Sequence, residues 1–228
     1  MQALSSAYVG RRQGGALARI FDGAGKRAAF ALYYGALHFL TARAVVRSLR
    51  ISAGTRILDW GCGTGVVGAA WALEARGAAS VAGIERNPWA VAEANWTLSS
   101  LRVDGRVVRG DIARERTAPP GRGESLVLGW TVNELPDEVR LRLLERVLEA
   151  ASRGARVLVI EPISKRVAEA WWPAWAQAFR AAGGREDEWR VEAHLPQRLA
   201  LLDRAAGLDH RKLTARSLLL GGALRERE

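Results

Sequence analysis

The sequence has a single cysteine, Cys62, among 228 residues. One thiol excludes an internal disulfide and any metal site built from several cysteines. The first residues show no apolar core ahead of a cleavage signal, and the longest apolar stretch, residues 28–42, is shorter than the ~20 residues that cross a bilayer. We therefore expect a cytoplasmic protein that does not insert into a membrane.

Lysine is also scarce, since only Lys26, Lys165 and Lys212 are lysines among 34 basic residues, although the net charge is +10. Such a basic chain can bind nucleic acid because its cations neutralise phosphates. The arginines are nevertheless scattered along the chain, and within residues 134–149 they alternate with glutamates. Charge alone leaves RNA, a ribonucleoprotein and a small molecule open as partners, and nothing in the sequence predicts the oligomeric state.

Short β-branched runs alternate with longer helical runs from Arg56 onward, which predicts a parallel sheet covered by helices on both faces. The predicted strands are residues 56–60, 80–85, 106–111, 125–130 and 155–161, with two further short strands within 208–221, and the predicted helices are 64–77, 88–101 and 134–154. Trp171, Trp175 and Phe179 recur every four residues and predict a helix that faces the core.

Residues 1–50 precede this alternation and read as a mainly helical extension, with helical character over 25–49. Tyr33, Tyr34 and His38 are spaced so that they can face one side of that helix. We therefore expect a helical N-terminal segment, a candidate lid, followed by a ligand-binding domain over residues 51–228.

The segment RILDWGCGTGVVG ends the first predicted strand with an acid, Asp59, and continues with four glycines. Gly61, Gly63 and Gly65 allow the backbone to turn tightly and approach a ligand, and the next helix directs its positive N-terminal end into the same space. Gly63-x-Gly65-x-x-Gly68 also fits the G-x-G-x-x-G of dinucleotide sites. The glycines alone therefore do not choose the ligand.

The charge of Asp59 separates the two ligands. A pyrophosphate close to this carboxylate would cost roughly 3 kcal/mol for each like-charge pair at about 5 Å and an effective dielectric near 20. S-adenosylmethionine (SAM) carries an ammonium and a sulfonium, which an acid attracts directly or through water. Asp59 therefore favours SAM over NAD.

Two more acids end predicted strands: Glu85 suits either cofactor, whereas Asp111 has a stronger use in a SAM site than in an NAD site. Glu85 ends the second strand, where a carboxylate accepts hydrogen bonds from ribose hydroxyls. Asp111 ends the third strand and can accept a hydrogen bond from the adenine amine while Ile112 packs on the ring. The predicted cofactor contacts are Asp59, Gly61, Cys62, Gly63, Gly65, Glu85, Arg86, Asp111, Ile112 and Trp130.

The pattern Asp59-x-Gly61-x-Gly63-x-Gly65, followed by Glu85 and Asp111, resembles the SAM-binding motifs of class I methyltransferases in order and spacing, over about residues 52–221. The resemblance implies an α/β, Rossmann-like fold with a seven-stranded, mostly parallel sheet whose last strand is antiparallel. It also implies SAM as cofactor, S-adenosylhomocysteine as product and inversion at the methyl carbon. A weaker resemblance, from NELP at 133–136 to residue 163, is to methyltransferase-like proteins associated with the small ribosomal subunit.

The exit of the fourth strand, from Trp130 to Pro136, is expected to face the methyl group. Asn133 offers a donor and an acceptor to a substrate amine or hydroxyl, with helix capping as its alternative role, and Glu134 is the second candidate catalytic residue. The segment NELP is not the Asn/Asp-Pro-Pro-aromatic motif of amino methyltransferases, and Cys62, inside the cofactor loop, disfavours cytosine C5 methylation through a thiol.

The predicted function is a SAM-dependent methyltransferase whose acceptor is RNA or a small molecule. The alternative is a SAM-binding, catalytically weak factor for ribonucleoprotein assembly, because NELP matches no standard catalytic motif. An NAD-dependent oxidoreductase is the third reading, since Gly63-x-Gly65-x-x-Gly68 also fits that class.

Overall fold

The computed structural model describes residues 23–75, 79–114, 119–163 and 170–221. Within these ranges seven strands form one sheet in the order β3-β2-β1-β4-β5-β7-β6. The strands are β1 (Arg56–Trp60), β2 (Ser80–Glu85), β3 (Gly105–Arg109), β4 (Glu124–Gly129), β5 (Arg156–Glu161), β6 (Arg185–Glu192) and β7 (Lys212–Leu220). The first five are parallel, and β7 runs antiparallel to both β5 and β6. This confirms the predicted Rossmann-like α/β sheet.

Six helices of the described chain cover the sheet. They are α1 (Ala24–Leu49), α2 (Val66–Glu74), α3 (Pro88–Ser100), α4 (Asp137–Ser152), α5 (Trp172–Ala181) and α6 (Gln197–Ala205). A π-helical stretch, Phe30–Tyr34, interrupts α1, and a 3-10 turn, Val132–Glu134, precedes α4.

The helix predictions hold in position and differ at the ends. The Asn87 side chain caps α3 by accepting from the backbone N–H groups of Trp89 and Ala90, with Pro88 at the first position. α4 begins at Asp137, three residues later than predicted, because Pro136 is extended at ψ 154°. α2 is described to Glu74, and its predicted end at Gly77 lies outside the described residues.

The C-terminal third departs most from prediction. Residues 208–221 form one nine-residue strand, β7, so the two short strands predicted there are wrong. β6 and α6 were not predicted at all. β6 has the sequence REDEWRVE, and so many charged residues do not predict a strand. The strand forms because all eight of its residues pair with β7.

Two hydrophobic layers enclose the sheet. On one face, α1, α2 and α3 pack with alternate strand residues such as Ile57 and Val127, and on the other α4 and α5 pack over Leu126 and Leu128. Trp171, Trp175 and Phe179 are 6%, 2% and 0% exposed, which confirms the predicted core-facing stripe.

Helix α1 belongs to the first of these layers. Its second half contributes Ala42, Val45, Val46 and Leu49 to the same core as the sheet, so residue 50 does not separate two cores. By length and composition the 26-residue helix could cross a membrane, which corrects the shorter segment expected from the sequence. In the structure those apolar side chains pack against α2 and the sheet, as in the core helix of a globular domain.

Candidate functional site

A cavity of about 590 Å³ opens at the carboxyl ends of β1, β2 and β4. Its walls are the glycine loop between β1 and α2, the loops that follow β2, β3 and β4, the start of α4, and α1 on the remaining side. This is the edge at which open α/β sheets bind their ligands. The predicted cofactor contacts that line it are Gly61, Cys62, Gly63, Glu85, Arg86, Asp111, Ile112 and Trp130.

The glycine loop has a conformation that side chains would oppose. Gly61, Gly63 and Gly65 have φ of 69°, 53° and 75°, in the left-handed region where a Cβ is strained. At Gly61 a Cβ would lie 2.5 Å from Cγ2 of Thr131, whereas at Gly63 it would meet nothing within 4 Å. Gly61 thus permits close packing of two loops, and Gly63 keeps one wall of the cavity open.

Asp59, which the sequence predicts to attract SAM directly or through water, lies behind the cavity wall. It is fully buried behind the glycine loop and is not among the residues that line the cavity. Its Oδ2 accepts a hydrogen bond of 2.8 Å from the backbone N–H of Gly68, while Oδ1 is buried without a partner in the described structure. Burial raises the pKa of Asp59 to about 7, opposed by the Gly68 bond and reinforced by the charge of Glu85. Asp59 therefore acts on the site through the loop that it holds.

Glu85 lies where the sequence predicted it, at the end of β2 and on the cavity wall. Its Oε2 accepts a hydrogen bond of 3.1 Å from the backbone N–H of Gly63, and its Oε1 accepts one of 2.8 Å from that of Asn87. These two bonds fix the carboxylate between the glycine loop and the start of α3. Each oxygen keeps a lone pair that can accept a bond from a ligand hydroxyl.

Asp111 and Ile112 lie across the cavity from the glycine loop, just beyond β3. The Oδ1 of Asp111 accepts a hydrogen bond of 3.0 Å from the backbone N–H of Ala113, which orients the carboxylate. Ile112 is 9% exposed and offers an apolar surface beside it. The structure therefore places both residues on the cavity wall, and their contact with adenine stays a prediction.

Trp130 follows β4 with a φ of 54°, a left-handed conformation that costs a bulky side chain about 1–3 kcal/mol. The backbone N–H of Trp130 donates to the carbonyl of Ile160 at 2.8 Å, and the Thr131 hydroxyl donates to the carbonyl of Gly61 at 3.1 Å. The loop after β4 is therefore bonded both to β5 and to the glycine loop. The indole stacks on the imidazole of His38, with ring centroids 4.0 Å apart and planes 9° from parallel. α1 is thereby joined to the exit of β4.

Asn133, predicted as a substrate contact, is not among the residues that line the cavity. Its Nδ2 donates to Oε2 of the fully buried Glu161, and its Oδ1 accepts a hydrogen bond of 2.9 Å from Trp171 Nε1. Glu161 also accepts from the backbone N–H groups of Val132 and Asn133. The amide therefore satisfies a buried carboxylate, and it caps no helix. Glu134, its exposed neighbour, does line the cavity.

Of the three candidate lid residues, one lines the cavity and two do not. His38 lines the cavity, but Tyr33 is 0% exposed and turns away, donating to Asp203 within a small cluster beside α6. Tyr34 contacts the rings of Phe30 and Tyr33. The π-helical stretch of α1 thus presents Phe30 to the cavity, a residue that helical periodicity did not single out.

The hydrogen-bonding groups of the cavity fit SAM. The Thr64 hydroxyl is buried in the cavity wall without a hydrogen-bond partner in the described structure, so a ligand there can satisfy it. Glu85 and Asp111 supply acceptors for the hydroxyl and amine donors of an adenosyl group. Burial, together with the charges of Asp59 and Glu85, raises the pKa of the Cys62 thiol well above its usual range, so it stays protonated and is no nucleophile at neutral pH.

Comparison with known proteins agrees with this geometry. Residues 40–120 match the family model described as the methyltransferase small domain. The sequence has no significant match among curated proteins. The weaker resemblance to the small-ribosomal-subunit-associated family therefore stays a prediction.

Solved structures share the fold at low identity. A mitomycin 7-O-methyltransferase matches with a TM-score of 0.59 and 14% identity, over 97% of this chain and 66% of that one. Magnesium protoporphyrin IX methyltransferase from Synechocystis PCC 6803, with bound SAM, matches with a TM-score of 0.53 and 16% identity, over 82% and 81% of the two chains. A SAM-dependent methyltransferase from Aquifex aeolicus gives 0.51 and 15%, over 85% and 92%.

The chain spans about two thirds of the first of these structures, 66% of its length, and most of the other two. Taken together, these comparisons show a match to a methyltransferase domain over residues 40–120, in a fold that the chain shares with SAM-dependent methyltransferases of known structure.

Proposed function

We propose that this protein is a SAM-dependent methyltransferase that acts on a small molecule with a planar, apolar body. The observation that carries the proposal is the charge of the cavity wall, which departs from that of the whole chain. The net charge of the chain is +10. The charged residues that line the cavity are nevertheless three cations and three anions, namely Arg86, Arg114, Arg142, Glu85, Asp111 and Glu134.

A site for RNA needs a surplus of cations near its mouth, because phosphates contribute most of the binding energy. The balanced wall of this cavity supplies no such surplus among the described residues. A small molecule carries few charges and gains its affinity by burying apolar surface. The charge balance therefore favours a small molecule as the methyl acceptor.

Apolar side chains form part of the cavity wall. They are Phe30, Trp130, Leu135, Pro136 and Val139. Flat aromatic walls bind planar groups by stacking and edge contacts. α1 forms one side of the cavity through Phe30 and His38, which limits the length of an acceptor that can enter.

Bound SAM would supply a methyl group already activated by a sulfonium. The work of the chain is then to hold the two reactants in line and to exclude water. Glu85 would accept the ribose hydroxyls, and Asp111 with Ile112 would hold the adenine. Gly63 and Thr64 would line the methionine portion, and the walls around Trp130 would orient the acceptor.

Transfer of labelled methyl groups tests the acceptor class. The protein is incubated with methyl-labelled SAM and, separately, with metabolite, total RNA and protein fractions, and Glu85→Ala serves as the matched control. We expect label in the metabolite fraction that the variant fails to transfer. Label in RNA alone would overturn the small-molecule proposal.

A second function has a specific motive, since the Asn133 side chain is bonded to buried Glu161 and to Trp171, and NELP matches no standard catalytic motif. That function is a SAM-binding factor for ribonucleoprotein assembly without methyl transfer. Saturable SAM binding with no label in any fraction would favour it. A rise in Tm with NAD and none with SAM would contradict both functions.

A further inference from the structure

One imidazole lines the cavity. The chain has three histidines. His194 is exposed and pairs with Glu192, and His210 contacts Asp203 and Tyr33 beside α6. Only His38 lines the cavity, and it does so from α1.

The position of His38 is set from two elements. α1 brings the residue to the cavity through packing in the core, and Trp130 holds the ring by parallel stacking at 4.0 Å. Trp130 lies at the exit of β4 and keeps an unfavourable left-handed backbone there. Strained backbone that the surrounding structure maintains is found preferentially at functional sites.

The other ionisable groups of the cavity are less suited to take a proton at neutral pH. Glu85 and Asp111 already accept backbone hydrogen bonds from Gly63, Asn87 and Ala113. Glu134 is an exposed carboxylate. The Cys62 thiol stays protonated, because burial raises its pKa.

The remaining charged groups that line the cavity are guanidinium groups, which do not lose a proton in this range. They are Arg86, Arg114 and Arg142. An imidazole, in contrast, changes its charge close to neutral pH. His38 is therefore the group of this cavity best suited to act as a base.

We propose that His38 is a catalytic base for methyl transfer to a hydroxyl of the acceptor, an inference that rests on the proposed function. The acceptor oxygen forms a bond to the methyl carbon while its proton passes to an imidazole nitrogen. The bond between that carbon and sulfur breaks, and its electron pair stays on sulfur, which becomes a neutral thioether. The imidazolium then returns the proton to solvent. Trp130 is a positioning residue for this base.

The titration of His38 in complexes with SAM or S-adenosylhomocysteine tests whether the imidazole faces the methyl group. This experiment needs no methyl acceptor. Nitrogen-detected NMR of the imidazoles, assigned with single His→Gln variants, measures the three midpoints with saturating SAM and with saturating S-adenosylhomocysteine. These ligands differ by one positive charge, on sulfur. A base that faces the methyl group titrates lower in the SAM complex, by about 0.5 pH unit or more.

His194 and His210 are internal controls and should titrate equally in the two complexes. Equal midpoints for His38 in both complexes, with both ligands saturating by calorimetry, would overturn the inference and leave the proposed function intact. Binding of neither ligand would overturn both.

Variants separate catalysis from support of the fold. We expect His38→Gln to bind SAM within about threefold of the parent while methyl transfer to the active metabolite fraction falls at least 100-fold, the range of general-base catalysis. The pH profile of the parent should rise with the NMR midpoint of His38, and the variant should lose that rise. Trp130→Phe keeps an aromatic face and should retain the profile at a lower rate.

If the stack of His38 on Trp130 only stabilises the fold, the variants give a different result. His38→Gln would then lower Tm and leave the rate per folded molecule and its pH profile unchanged, which would overturn the assignment.

Discussion

Asp59 and Gly68 are joined by a hydrogen bond of 2.8 Å, in which the backbone N–H in the first turn of α2 donates to the acid inside β1. The first N–H groups of a helix have no partner within it, so Asp59 satisfies one of them in a fully buried place. Asp59, whose charge favours SAM over NAD in the sequence, therefore stabilises the glycine loop in the structure.

The burial of Asp59 predicts a pH dependence of stability. Its pKa is raised from 3.8 to about 7 on folding, so between these values the folded state holds a proton that the unfolded state has lost. The free energy of unfolding should therefore fall as pH rises through this window and level off above it. Between pH 5 and 8 we expect Asp59 to contribute a loss of roughly 3 kcal/mol.

Asp59→Asn removes this titration and retains an oxygen for the Gly68 N–H. Urea unfolding of both proteins at pH 5 and pH 8 should show that the variant gains stability relative to the parent as pH rises. The same difference at both pH values would refute the raised pKa.

Glu85 should be needed for cofactor affinity. Glu85→Ala removes the acceptors for the ribose and also the bonds from the backbone N–H groups of Gly63 and Asn87, which shape the loop. Calorimetry should show micromolar SAM binding to the parent, weakened at least tenfold in the variant, as expected for about 1.4 kcal/mol.

Glu85→Gln is the matched control, because an amide retains an acceptor at one of these positions and loses the charge. It should lie between the parent and Glu85→Ala. Parent-like affinity in Glu85→Ala would remove Glu85 from the cofactor site.

Gly68 and Gly63 should respond differently to alanine. A Cβ at Gly68 would lie 2.8 Å from Asp59 Oδ2 and 2.9 Å from Val81 Cγ1, so we expect Gly68→Ala to cost about 2 kcal/mol of stability. A Cβ at Gly63 meets nothing within 4 Å, and only its φ of 53° opposes the change, at about 1 kcal/mol.

Gly63→Ala should instead weaken SAM binding, because the new methyl group enters the cavity wall. Chemical denaturation and calorimetry of the two variants together test the assignment. A loss of stability that is larger at Gly63 than at Gly68 would speak against it.

Asn133→Ala should reduce stability and leave SAM affinity unchanged. The change removes a donor to buried Glu161 and leaves the Trp171 indole N–H without its acceptor, at a cost of about 3 kcal/mol. Glu134→Ala, one residue away and exposed, should change stability by less than about 0.5 kcal/mol. If Asn133→Ala is as stable as the parent, the buried network is not its role.

The elements that sequence predicted well are those whose local pattern agrees with their final place. β1 is an apolar run with Asp59 next to its last residue, β2 ends in Glu85, and α3 begins with a cap and a proline, so their bounds follow from residues close in the chain. β6 follows from pairing with β7, a partner more than twenty residues away, and its composition indicates solvent rather than a strand.

The residues of the candidate site show the same difference between local and long-range causes. Gly61, Gly63, Glu85 and Asp111 were found from the sequence because parallel strands bring their carboxyl ends to one edge, whatever the rest of the fold does. Whether a polar residue beyond such a strand faces the ligand depends on the local turn. Asn133 turned inward to a buried acid that belongs to the neighbouring strand β5.

The order of acids and glycines along the chain by itself determined the cofactor class and the sheet that holds it, because strand ends and tight turns are local features. Only the tertiary structure decided that Asp59 supports the loop from behind, that Asn133 belongs to the core, and that His38 reaches the cavity from α1. Those outcomes depend on which distant side chains share a buried space, and burial arises only when the helices pack on the sheet.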